Sequence, residues 1–277
     1  MQPASIITLT TDFGLTDPYV GQMKGAILGR NPASRLVDLC HALPRQDITA
    51  AAIILHSSYG FFPPGTVHLV VVDPGVGSQR RILAAEGGGH YFVAPDNGII
   101  SLLLRDGILT SVYNVTQEEF FAETVSPTFH GRDIMGPVAA SLASGLPLAT
   151  LGPEVSPASC VCLDLPVARV IGNRVMGQVL QLDHFGNVRT TIRSTDLKHL
   201  TSLQRCLVQI NALEIETIST SYAEVEPGQL IALIDSAGYL EIAVNRGSAA
   251  KLTRCRIGDP VQVSCLPEES LPEESPL

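Results

Sequence analysis

Tryptophan is missing from this 277-residue chain, and charged side chains make up only 16% of it. So little charge beside a 45% apolar share describes a compact chain with little polar surface to spare, a composition that suits an oligomer interface. No apolar run approaches the roughly 18 residues a membrane helix needs. The opening MQPASIITLTTDFG has no basic stretch followed by a long apolar one, so a cytoplasmic protein without a membrane partner is expected. A basic face is lacking too. Net charge is −9, and with Glu268, Glu269, Glu273 and Glu274 confined to the tail the body stands at about −5, which argues against nucleic acid as a partner. Six cysteines (Cys40, Cys160, Cys162, Cys206, Cys255, Cys265) form no CxxC pair and no zinc-ligand spacing, so reduced thiols and no metal site are expected. Neither GxxxxGK[ST] nor GxGxxG occurs, so the usual phosphate-cradling loops are missing and the ligand expected is one without phosphates.

What is present divides the chain in two. From Ile6 to about Gly152, β-rich runs alternate with helical patterns: IITLT as a strand, Tyr19 to Arg30 as a helix halted by Asn31-Pro32, RLVDLC as a strand, and a helix after Asp47 as N-cap. GTVHLVVVD is apolar on both pleat faces, as a central strand covered on both sides must be. Gly131 to Gly145 reads as a late helix with an irregular start, because Pro137 falls inside it. Beyond residue 155 the runs shorten to strand length (RVMGQVLQLD, NVRTTI, CLVQI, LIALID, YLEIAV, DPVQVS) with turn residues between them. The expected fold is therefore an N-terminal three-layer α/β domain with a mostly parallel sheet over 1–155, a linker over 156–167, and a smaller C-terminal all-β, barrel-like domain over 168–265. The tail 266–277, which repeats LPEES, is too acidic and proline-rich to order itself.

Open parallel sheets bind ligands beyond the carboxyl ends of their strands. Three stretches deliver ionisable groups there: TTDFGLTDPY with Asp12 and Asp17, VVVDPGVGSQRR with Asp73 and Arg80, and SPTFHGRD with His130. Singly, each has a plain structural use. Asp12 could cap a helix, Asp73 and Arg80 could close a turn as an ion pair, and His130 could be a satisfied, half-buried imidazole. Together, from separate loops at one sheet edge, they point to a site. A carboxylate at Asp12 can also accept two hydrogen bonds from a vicinal diol, which points to a nucleoside.

The segments TTDFG..D.YVGQMKG, VVDPGVGSQRR, APDNG, TFHGRD, DHFGNVRT and GYLEIAVNRGSA, in this order, resemble the S-adenosylmethionine hydroxide adenosyltransferases, or S-adenosylmethionine hydrolases, which are related to fluorinase and chlorinase. The resemblance covers nearly the whole chain to about Cys265. It implies an N-terminal α/β domain, a C-terminal β-barrel and a homotrimer with active sites at subunit interfaces. It implies that Asp73, Arg80 and His130 surround an attacking water, a set the halide-using relatives lack. It further implies Asp12 as ribose-diol acceptor, Phe185 as adenine-stacking ring, Asn187 as a polar contact, Asp17 and Asp183 as partners of the methionine ammonium, and Asn97, Ser236, Asn245 and Arg246 as further substrate contacts. The reaction implied is water plus S-adenosyl-L-methionine giving adenosine and L-methionine, with no cofactor. One departure stands out: Ala237 follows Ser236 where halogenating relatives have an arginine, which leaves the holder of the methionine carboxylate open. Two rivals remain at this level, a metal-dependent nucleoside hydrolase using Asp12, Asp17 and Asp73 as oxygen ligands, and an adenosine-binding module with negligible turnover.

Overall fold

The structure, a computed structural model, describes residues 4–200 and 206–265. The acidic tail expected to be disordered lies outside the described residues. Two compact units divide between Asp164 and Leu165.

In the first unit, strands β1 (Ile6–Thr11), β2 (Arg35–Cys40), β3 (Val67–Val71), β4 (Ile82–Gly87), β5 (His90–Pro95) and β6 (Leu109–Asn114) form one sheet in the order β2-β1-β3-β5-β4-β6. The ladders β2–β1, β1–β3 and β3–β5 are parallel, while β4 runs antiparallel to both of its neighbours. Every residue of β3 is buried. Its side chains alternate as a pleat requires: Val67, Leu69 and Val71 pack with Met23, Ile27 and Val138, whereas Val70 packs on the opposite face with Ala51 and Leu55. Helices α1 (Tyr19–Arg30) and α4 (Gly136–Ala143) thus cover one face, and α2 (Ile48–Ser58) and α3 (Ser101–Arg105) the other, giving the three expected layers. Asp47 caps α2 by accepting from Ala50 N at 2.8 Å. The predicted late helix has the irregular start expected, a π-helical turn over Gly131–Met135 that runs directly into α4, with Pro137 in the first turn of α4.

The chain from 157 to 163 is tied to this unit by Arg81, which donates to Ser159 O and pairs with Asp96 (Nε to Oδ2, 2.7 Å), while Asp96 Oδ1 accepts from Val161 N at 2.8 Å.

The second unit contains β7 (Arg169–Ile171), β8 (Arg174–Leu182), β9 (Val188–Arg193), β10 (Cys206–Ile210), β11 (Leu213–Ile215), β12 (Ile218–Ser219), β13 (Leu230–Ile234), β14 (Tyr239–Val244), the short helix α5 (Ala249–Thr253) and β15 (Pro260–Cys265). The order is β11-β10-β15-β8-β9-β14-β13-β12, antiparallel except for β12–β13. Strand β8 pairs with β15 over its first half and with β9 over its second, so one long strand turns the corner of a barrel-like sheet around a single core.

Candidate active site

Thr11 of β1 and Val71 of β3 are register partners, so these parallel strands end side by side. Asp12 and Asp73 follow those ends, so the sheet delivers both carboxylates to one edge, where they line one cavity. Asp12 caps no helix, because α1 begins at Tyr19; its Oδ2 accepts from Gln46 N at 2.8 Å, and Gln46 adopts φ +64° to present that amide.

Arg80 is folded back onto Asp73. Its Nε lies 2.6 Å and 2.8 Å from the two carboxylate oxygens, and its Nη2 also bonds Oδ2. Both side chains are nearly buried, at 9% and 5% exposure, so the pair is well shielded from the water that weakens surface pairs. The same Nη2 lies 3.0 Å from His130 Nδ1. A guanidinium has donors only, so His130 Nδ1 is the acceptor and the ring proton sits on Nε2. Burial first, then the Arg80 charge, hold the His130 pKa below its ordinary value, which keeps the imidazole neutral.

The loops are brought together by two devices. Gly77, at φ +79°, packs against the backbone of Pro127: a Cβ there would lie 2.5 Å from Pro127 O. Phe13, Tyr19 and Phe129 make three edge-to-face contacts with centroids 5.6 to 6.2 Å apart, and Arg132 lies 4.9 Å over the Phe129 ring. Each such ring pair contributes about 0.5–1.5 kcal/mol beyond burial. Sequence reasoning missed this cluster, although TTDFG and TFHG each place a phenylalanine beside the ionisable residue.

Asp12, Asp73 and His130 line one cavity of about 250 Å³. Asp17 lines an adjoining cavity of about 460 Å³ whose walls share Asp12, Phe13 and Gln46 with the first. Asn97 lines neither. It donates from Nδ2 to Val72 O at 2.8 Å, bracing the residue just before Asp73.

In the second unit, Asp183, Phe185, Asn187, Ser236, Asn245 and Arg246 all line one cavity of about 930 Å³. The β8–β9 hairpin supplies the first three. Asp183 accepts from Asn187 N (2.8 Å) and Nδ2 (3.1 Å), and Gly186, at φ +83°, closes so tightly on Ser248 that no side chain fits there. Phe185 stands out from this loop, 74% exposed. Ser236 belongs to the β13–β14 turn, held by Asp235, which accepts from Ala237 N, Tyr239 N and Arg189 Nε. The sequence reading missed Glu241 and Tyr222 on the same wall. Glu241 is buried in β14, accepts from the Tyr222 hydroxyl at 2.7 Å, and burial pushes its pKa up. A lone acid inside the wholly buried strand YLEIAV was the available signal.

Among the described residues, no group of three or more His, Cys, Asp or Glu is placed to hold a metal ion, and no helix is long and apolar enough to cross a membrane.

Two family models cover most of the sequence: the SAM hydroxide adenosyltransferase N-terminal domain over residues 7–152 and its C-terminal domain over 177–262. The chain belongs to the SAM hydroxide adenosyltransferase family. One relative within reach of this family, the (R)-S-adenosyl-L-methionine hydrolase of Salinispora tropica, is 38% identical over 266 residues, spanning 95% of this chain and 99% of the relative. A fluorinase from Nocardia brasiliensis is 29% identical over 289 residues, 93% of this chain and 96% of its own. Among solved structures, an uncharacterized conserved protein from Thermotoga maritima superposes with a TM-score of 0.88 at 35% identity, covering 93% of this chain and 99% of that one. The adenosyltransferase family models fall on both cavity-bearing units, leaving residues 153–176 between them.

Proposed function

We propose that this chain hydrolyses S-adenosyl-L-methionine to adenosine and L-methionine. The observation that carries the reading is the Asp73–Arg80–His130 chain of contacts, whose two ends, Asp73 and His130, line a cavity with Asp12 while Arg80 bridges them from behind its wall. In the reaction proposed, the oxygen of water bonds to ribose C5′ while the C5′–S bond breaks and its electron pair returns to sulfur, and the proton the water gives up passes to bulk solvent. A sulfonium leaves as a neutral thioether and needs no acid, so the protein acts on the nucleophile and on alignment. The Nε2–H tautomer supports His130 as a donor that orients the attacking oxygen, with Arg80 stabilising hydroxide character and Asp73 holding Arg80 still. Asp12 takes the ribose diol. In the second unit, Phe185 stacks on adenine, while Asp183, Asn187, Ser236, Asn245 and Arg246 make polar contacts to the substrate; Asp17 takes the ammonium. The name of the Salinispora relative specifies the R sulfonium, and the same epimer is proposed here. No cofactor is invoked. The chain is proposed to act in the cytoplasm as a homotrimer whose active sites draw on more than one subunit. The two domains proposed are those read from the sequence, over 1–155 and 168–265.

Incubating the pure protein with S-adenosyl-L-methionine of each sulfonium configuration, with and without a chelator, and separating the products tests this. Adenosine and methionine released from the R epimer, unaffected by chelation, are expected. Free adenine or chelator-sensitive turnover would transfer the site to a nucleoside hydrolase, and bound but unaltered substrate would make it a binding module.

A further inference from the structure

The cavity next to the proposed reaction centre has walls of both charges. Asp17 and Arg45 line it together with Thr16, Tyr19 and His41. Among the described residues, neither Asp17 nor Arg45 has a side-chain hydrogen bond or ion pair, so no Arg45 nitrogen lies within 4.0 Å of a carboxylate oxygen. Elsewhere in the unit Arg80, Arg81, Arg105 and Arg132 are each engaged with an aspartate, while Arg30 and Arg35, like Arg45, have no acidic partner among the described residues; of these three only Arg45 lines this cavity. An acid and a guanidinium that face one cavity without neutralising each other leave both charges for a ligand that carries the opposite pair. A free α-amino acid end is such a ligand: its ammonium and carboxylate sit on one carbon, and each forms charge-assisted contacts of about 2.8 Å. The planar fork of arginine matches a carboxylate in a way a point charge does not. The segment bearing Arg45 is itself well placed. Gly14 N donates to His41 O at 2.7 Å, Thr11 Oγ1 lies 2.8 Å from His41 Nδ1, and Gln46 N donates to Asp12 Oδ2 at 2.8 Å. Those three bonds lock the 41–46 connection onto the loop that carries Asp12 and Asp17. Because the two cavities share Asp12, Phe13 and Gln46, one extended molecule can occupy both, with its sugar at Asp12 and its amino acid end beyond.

We infer that Arg45 binds the α-carboxylate of the methionine moiety while Asp17 binds its ammonium, so that this cavity selects a zwitterionic amino acid end. The inference rests on the proposed hydrolase reading and adds to it a specificity-determining residue. Arg246, a cation on the wall of the second unit's cavity, is the competing holder of that carboxylate.

The test compares wild type, Arg45→Gln, Arg45→Lys and Arg246→Gln on S-adenosyl-L-methionine and on its decarboxylated sulfonium analogue, with titration calorimetry of L-methionine against L-methioninamide alongside. Arg45→Gln should raise KM for the carboxylate-bearing substrate about 10- to 100-fold while leaving the decarboxylated analogue within about threefold. Arg45→Lys should restore part of the loss, and Arg45→Gln should abolish any preference of the protein for L-methionine over L-methioninamide. Equal KM values in wild type and Arg45→Gln, or a selective loss confined to Arg246→Gln, overturn the inference while the hydrolase reading stands. If wild type releases no adenosine from either sulfonium, the hydrolase reading fails, and the calorimetric preference still decides whether Arg45 recognises the carboxylate. Arg45 is exposed, so unchanged thermal melting of the variants is expected and keeps the comparison one of binding.

Discussion

Arg80 Nη2 lies 3.0 Å from His130 Nδ1, and this contact decides which ring nitrogen of the neutral imidazole carries the proton. His130 must stay neutral to accept from a guanidinium, and burial and the Arg80 charge keep it so below the ordinary histidine pKa. Adenosine release should therefore hold steady from pH 8 down through about 6.5 and decline only in more acid solution, where protonation would set two cations face to face. His130→Ala should lower kcat roughly 10²- to 10³-fold with little change in KM, as the loss of one positioned donor does. Steady-state rates between pH 4.5 and 8 check both; an equal loss of substrate affinity would speak against the role.

Gly77 lets the Asp73 loop touch the Pro127 backbone. A methyl group at this positive φ meets a carbonyl oxygen that cannot step aside, so Gly77→Ala should push the Arg80 and His130 loops apart. The expected outcome is a kcat loss of at least the His130→Ala size at most a few degrees of lost melting temperature, because the strain is local to a surface turn. Calorimetric melting together with kinetics separates this from general unfolding.

Asp12→Ala should weaken adenosine binding and leave the exposed Gln46 amide to water. A charge-assisted contact of this kind is worth about 1.5–3 kcal/mol, or roughly 10- to 150-fold in Kd. Titration calorimetry with adenosine measures it, and unchanged affinity would remove Asp12 from the site.

On the opposite face of the sheet, His68 is buried with its Nδ1 2.8 Å from Thr8 Oγ1 and its Nε2 3.3 Å from His90 Nδ1. Burial, with the neighbouring His90 adding to it, pushes the His68 pKa down to about 3. Protons therefore bind the unfolded chain first as pH falls through about 6.5, and the stability these neutral rings give is lost progressively from there toward pH 3. His68→Asn, which keeps a partner for Thr8 but does not titrate, should lose less stability between pH 7 and pH 5 than wild type in urea denaturation. Parallel losses would place the acid sensitivity elsewhere.

Much of this protein is legible in one dimension. The alternation of β-rich and helical runs, the both-sided apolarity around Val70 and the cap at Asp47 are local consequences of pleat period, burial and side-chain hydrogen bonding, and they specify a covered parallel sheet followed by a barrel-like unit. The short motifs likewise mark Asp12, Asp73, Arg80 and His130, since strand ends are where such groups collect. Tertiary structure decided what no spacing encodes. Which oxygen meets which nitrogen, and hence the tautomer of His130, depends on residues 50 positions apart reaching one point. The aromatic clamp of Phe13, Tyr19 and Phe129, the buried Glu241 and the unspent charges of Asp17 and Arg45 depend in the same way on long-range packing, because burial and pairing are properties of the space around a side chain and not of its neighbours in the chain.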